Sequence, residues 1–137
     1  MIESLLEKLK SFAAADSAMK AVIVVGSFAA GTAGPDSDLD LILITTDANR
    51  YLSDFSWVYQ FGKAVSGEHE DYELVQSVRV FYENGPEVEF GITTLDWIDD
   101  KEFKSTGKIL SGGYRVIYDP DNLIDQFYKR VQSSGMV

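Results

Sequence analysis

Gly26-Ser27-Phe28-Ala29-Ala30-Gly31-Thr32-Ala33-Gly34-Pro35-Asp36-Ser37-Asp38-Leu39-Asp40-Leu41 is the stretch whose reading decides the fold. An apolar run, Ala21 to Val25, leads into Gly26-Ser27, and a second, Leu41 to Ile44, follows Asp38-Leu39-Asp40. The first run reads as a strand buried on both faces, and Asp38 to Thr45 reads as a second strand. Between them, Ser27 to Ala30 has room for one helical turn, and Gly31 to Ser37 is loop by composition. Side chains at i and i+2 on a strand share a face, so Asp38 and Asp40 converge. Oxygen-only ligands of this kind suit Mg²⁺, which takes one or two carboxylates together with substrate phosphates.

A third acid on a neighbouring strand would complete the constellation. Glu89 is the best candidate, because it stands between Val88 and Phe90 on an expected strand; Glu87 has the same facing parity and is the fallback. Gly26 lets a phosphate approach the backbone, the amides after it begin a helical turn that points at an anion, and the Ser27 hydroxyl adds a hydrogen bond. Plain capping of the turn is the competing role for Ser27. Two carboxylates repel a triphosphate, so bridging metals are needed for the halves to work together. The reaction implied is in-line attack of an acceptor oxygen on phosphorus with pyrophosphate leaving. Glu89 then also orients or deprotonates the acceptor hydroxyl.

The rest of the chain frames this core. Ile2, Leu5, Leu6, Leu9, Phe12 and Ala13 recur at helical spacing over residues 2–15. Asp47 is a plausible N-cap for a helix over about 49–65, with Leu52, Phe55, Val58 and Tyr59 on one face and Trp57 and Phe61 on the other. Trp57 and Phe61 then stack on a base, meet a second subunit, or pack in the core. Gly67 to Asp71, which includes His69, reads as a polar loop, and His69 is given no role. Leu74 to Tyr82 and Glu87 to Thr94 read as strands joined at Glu83-Asn84-Gly85-Pro86, where Asn-Gly is a hairpin signal. Trp97 to Ser105 reads as a short helix, Gly112-Gly113 as a break, and Tyr114 to Tyr118 as a last strand. Asp119-Pro120 then opens a helix with Ile124, Phe127, Tyr128 and Val131 inside. Helices and strands interleave, so the class is α/β (α+β): a small mixed β-sheet with helices mainly on one face.

The chain has 137 residues, enough for one domain, 1–137, with an apolar fraction of 45% that supplies a core. No apolar run approaches the roughly 20 residues that span a bilayer. The first residues carry Glu3 where an export signal is basic, so a cytoplasmic location is expected and no membrane partner. The absence of cysteine excludes disulfides and thiolate metal sites. A formal net charge of −10 makes nucleic acid an unlikely partner, because phosphate neutralisation needs clustered Lys and Arg. It suits divalent metals and cationic small substrates.

The order strand, Gly-Ser, loop, Ser-Asp-hydrophobic-Asp-hydrophobic resembles the nucleotidyltransferase superfamily with the polymerase-beta-like fold. Over residues 20–95 it is most similar to small bacterial members: antibiotic nucleotidyltransferases, and minimal nucleotidyltransferases paired with helical HEPN-domain proteins. The resemblance implies that Gly26 and Ser27 bind nucleotide and that Asp38, Asp40 and Glu89 are catalytic and hold metal, two Mg²⁺ ions being expected. The substrate implied is ATP or another NTP, the acceptor a hydroxyl of a small molecule or a protein. The alternative is an antitoxin-like or degenerate nucleotide-binding protein of the same fold without turnover. Many relatives carry an arginine shortly after Gly-Ser, where this chain has Ala29-Ala30. Charge for the triphosphate must come from elsewhere, and Lys63, Arg79, Lys108 and Arg115 are the candidates. Antibiotic-modifying relatives also add a helical C-terminal domain to the acceptor site, so a homodimer or a helical partner is expected to supply that wall.

Overall fold

The computed structural model describes residues 2–34, 36–72, 75–83, 85–99 and 103–133. It opens with helix α1 (Ile2–Ala14), strand β1 (Met19–Val25), the short helix α2 (Gly26–Ala30) and β2 (Leu39–Thr45). Helix α3 (Ala48–Ser53) and a 3₁₀ helix (Ser56–Phe61) lead to β3 (Ala64–Tyr72), β4 (Val75–Tyr82) and β5 (Glu87–Thr93). A 3₁₀ turn (Leu95–Ile98), α4 (Phe103–Ser111), β6 (Arg115–Tyr118) and α5 (Leu123–Ser133) complete the order. Among the described residues no helix is long and apolar enough to cross a membrane.

One six-stranded sheet, in the order β3-β4-β5-β2-β1-β6, organises the molecule. Only β2 and β5 run parallel; every other neighbouring pair is antiparallel. The apolar runs of β1 and β2 sit in the middle because both of their faces are covered. On one face Leu5, Leu6 and Leu9 of α1 pack with Tyr51, Trp57 and Phe61 over Val22, Leu41, Val80 and Phe90. On the other, Trp97, Leu110 of α4 and Ile124 of α5 cover Ala21, Ile23, Ile42 and Ile44. The expected mixed α/β class therefore holds. The larger core lies on the α1 side, and α4 and α5 add a smaller layer on the opposite face.

The expected helix over 49–65 is three elements instead. The chain becomes extended at Asp54, whose carboxylate accepts a 2.9 Å bond from the Ser56 amide and turns the backbone. Asp47 makes no side-chain cap on α3. The break redistributes the aromatic faces: Trp57 and Phe61 are core, whereas Phe55 and Tyr59 face solvent. The Trp57 ring stands 5.0 Å from Phe90 in an edge contact, and its indole N–H donates to the Tyr51 carbonyl at 3.0 Å. Of the three roles open to these two rings, core packing is the one the fold adopts.

The expected polar loop over 67–71 lies within β3. An edge strand needs only one partner, and residues 64–72 pair with β4 over its whole length, so main-chain bonding outweighs the composition. His69 there meets Gln76 Oε1 at 2.8 Å across the ladder. The helix expected over 97–105 is replaced by the turn at Leu95–Ile98 and α4, which starts at Phe103; residues 100–102 lie outside the described residues. Leu74 and the hairpin residue Asn84 lie outside them too. Helix α5 begins at Leu123 rather than Pro120, because Asn122 has a left-handed φ of 55° that no helix accommodates. Asp119 still caps it, accepting 2.9 Å bonds from the amides of both Leu123 and Ile124. Ile124, Phe127 and Val131 form its buried stripe, with Tyr128 half-buried beside them.

Candidate functional site

Sheet register places the acids. In the parallel pair of β2 and β5, Asp40 stands opposite Glu89, and on the other side Asp40 stands opposite Val25, the last residue before the Gly-Ser turn. Side-chain alternation puts Asp38, Asp40 and Glu89 on the face that also carries Ile42 and Ile44. Leu110 of α4 and Ile124 of α5 pack on the β1 and β2 residues of that face, and the side chains of Arg79, Glu87 and Glu89, a polar strip on β4 and β5, are partly exposed. Carboxylate oxygens of Asp38, Asp40 and Glu89 lie within 4.8 Å of one another. Asp40 and Glu89 edge a cleft of about 170 Å³ that also touches Val25, Ser77 and Gly91.

The Gly-Ser turn closes over this cluster. Gly26 has φ +72°, and a Cβ built there would overlap the Asp40 carboxylate. Glycine is thus required twice, for the left-handed turn and for the close approach of backbone to acid. Helix α2 ends at Gly31, also left-handed, whose amide returns to the Ser27 carbonyl. The N-cap position is Val25, so Ser27 is not the capping residue.

Arg79 of β4 stands in register with Glu89 and enters the same strip. Its Nη1 donates to Glu87 at 2.7 Å and to Asp38 at 3.2 Å, and its Nη2 donates to Glu89 at 2.9 Å. Glu87, the fallback third acid, is therefore an arginine partner; Glu89 is the acid that joins the aspartates. The other cations considered lie elsewhere. Lys63 pairs with Glu83 at 3.1 Å, Arg115 grips Glu3 with bonds of 2.7 and 2.9 Å, and Lys108 lies on the exposed side of α4. Parity with Glu89 is the signal that would have singled out Arg79, but it requires the β4–β5 register.

Partial burial pushes the Asp40 carboxyl up to about 6, with the neighbouring Asp38 and Glu89 charges adding to the shift. The carboxylates hold the Arg79 guanidinium protonated, led by its hydrogen bond to Glu87. Excess negative charge at one point on an all-oxygen donor set fits a hard divalent cation. A larger groove, about 1000 Å³, lies on the opposite face beside Phe12, Asp16, Arg50, Tyr51 and Trp57 and touches none of these acids.

Comparison with known proteins agrees with this topology. A solved structure of an aminoglycoside 6-adenyltransferase from Bacillus subtilis superimposes with TM-score 0.54 and 18% identity over 71% of this chain and 36% of that one. A cytoplasmic RNA terminal U-transferase gives TM-score 0.45 and 15% identity over 80% of this chain and 30% of that one. A toxin–antitoxin crystallised with AMP-PNP gives 0.47 and 10% over 95% and 86%. The chain spans about a third of the length of the adenyltransferase. No curated protein sequence matches it. The profile of the streptomycin adenylyltransferases matches residues 1–137, and with the nucleotidyltransferase fold in place the chain belongs to the streptomycin adenylyltransferase family.

Proposed function

We propose that this protein is a Mg²⁺-dependent nucleotidyltransferase that moves AMP from ATP to a hydroxyl of a cationic small molecule, an aminoglycoside being the best-supported class. One observation carries the reading: three carboxylates, Asp38, Asp40 and Glu89, converge within 4.8 Å beside the Gly26-Ser27 turn. The net charge of −10 and the family match support the choice of acceptor. In this reading Asp38, Asp40 and Glu89 hold the metal, two ions being proposed, which supplies charge neutralisation for the triphosphate and the departing pyrophosphate. The Ser27 hydroxyl and the amides of the turn hold phosphate oxygens. Glu89 takes the proton of the acceptor hydroxyl as its oxygen bonds to the α-phosphorus. The bond from that phosphorus to the bridging oxygen breaks, and pyrophosphate leaves with the electron pair.

The cleft over the acids holds about 170 Å³, below the few hundred typical of a small-molecule site. We therefore assign the base and acceptor to the partly exposed strip beyond it, completed by a second copy of the chain or a helical partner. Incubation with Mg²⁺, labelled ATP and streptomycin tests the activity: AMP transfer is expected, and Asp40→Asn should abolish it. No basic residue stands between Gly26 and Asp38, and this favours a second reading, nucleotide binding without turnover, cytoplasmic and antitoxin-like. Stabilisation by Mg²⁺-ATP with no transfer to any acceptor would select it.

A further inference from the structure

We propose that Arg79 is the resident counter-ion of the carboxylate cluster. It competes with the divalent ion for Asp38 and Glu89, and Glu87 retains it once displaced, so that its guanidinium faces the nucleotide phosphates. This inference rests on the metal-site reading of the cluster. Two of the three acids that Arg79 bonds, Asp38 and Glu89, also belong to the converging trio, whereas Glu87 does not. A divalent ion must approach oxygens of those shared carboxylates to within about 2.1 Å, where a guanidinium bonded to the same carboxylates repels it. The contact to Glu87 is the shortest of the three at 2.7 Å and lies outside the trio. Displacement therefore leaves the arginine tethered with N–H groups released.

The released groups have one evident use. The turn from Gly26 to Asp38 contains no basic residue, yet a triphosphate in contact with it needs a cation beyond the metal. Lys63 and Arg115 are engaged with Glu83 and Glu3. Arg79 is already on the strip, its Cα held opposite Glu89 by the ladder, so exchange needs only side-chain rotation. Its planar fork matches phosphate oxygens better than an ammonium does. Arg79 thus acts as a positioning and phosphate-contacting residue, and Glu87 as its tether.

Mn²⁺ affinity by titration calorimetry, and affinity for a non-hydrolysable ATP analogue at saturating Mn²⁺, test this on wild type, Arg79→Gln, Arg79→Lys and Glu87→Gln. Arg79→Gln should bind Mn²⁺ about tenfold tighter and the analogue about tenfold weaker, each a 1.4 kcal/mol change. Arg79→Lys, which keeps a charge on the sheet, should shift both in the same directions by less, and stands in if the glutamine variant does not fold. Glu87→Gln should bind Mn²⁺ more weakly than wild type, because the arginine has lost its alternative acceptor. A purely structural arginine would weaken both bindings together, and that result overturns the proposal. So does analogue affinity unchanged in folded Arg79→Gln. A wild type that takes up no Mn²⁺, or an Asp40→Asn variant that binds it equally well, overturns the metal-site reading itself.

Discussion

Asp40→Asn should stabilise the metal-free protein while destroying the site. The Asp40 carboxyl is pushed from its ordinary value near 3.8 up to about 6 by burial and by Asp38 and Glu89. That rise, from 3.8 to about 6, corresponds to a ceiling near 3 kcal/mol. Solvent reaches part of the carboxylate and screens it, so about 1 kcal/mol is the working figure. The direction follows from proton binding. The folded state holds this proton more tightly than the unfolded state, so the wild type loses stability as pH rises from about 4 through about 6, and the full cost is present above that. Asparagine keeps the shape without the charge. In EDTA at pH 7.5 the variant should therefore melt about 3–4 °C above wild type, the shift that 1 kcal/mol gives in a domain of this size. Below about pH 3 the two should coincide, because Asp40 is then protonated in both the folded and the unfolded state. Differential scanning calorimetry at several pH values reads this directly. A variant less stable than wild type at pH 7.5, or a difference that does not change with pH, would refute the assignment of strain to a charged Asp40. Adding Mg²⁺-ATP should reverse the order, stabilising wild type alone.

Three further outcomes follow from the packing. Gly26→Ala combines a left-handed φ with overlap on the Asp40 carboxylate and should cost at least about 2 kcal/mol in urea denaturation, whereas Ser27→Ala at the neighbouring position should stay within about 0.5 kcal/mol. Trp57→Ala removes a buried ring from the cluster with Tyr51 and Phe90 and leaves a cavity, so a loss of about 3–5 kcal/mol is expected in the same assay. Asp119→Ala frees the Leu123 and Ile124 amides of α5 and should cost about 1 kcal/mol, visible as a lowered thermal midpoint with no change in nucleotide affinity.

Much of the fold was legible in the sequence because its signals are local. The apolar runs of β1 and β2, the Gly-Ser turn between them, and the Asp38-Leu39-Asp40 alternation all act over a few residues, and the strand period alone sets Asp38 and Asp40 on one face. The stripe of α5 was equally plain from its spacing, with Ile124, Phe127 and Val131 inside. Residues 49–72 were not legible. Whether Trp57 lies inside depends on a turn at Asp54, and whether Glu68 and His69 sit on a strand depends on β4 offering them a ladder. Composition favours helix and loop there, and partners distant in sequence outvote it.

The same division runs through the candidate site. The chain by itself determined which residue types were available: no cysteine, no base in the Gly26–Asp38 loop, carboxylates at alternate positions. Only the tertiary structure decided which of them meet. Pairing of β2 with β5 brings Glu89 opposite Asp40, and pairing of β4 with β5 drops Arg79 among the acids and claims Glu87 for it. A one-residue slip in either ladder would turn those side chains to the other face. Register is set by the whole sheet and its two covering layers, so no local stretch of sequence contains it.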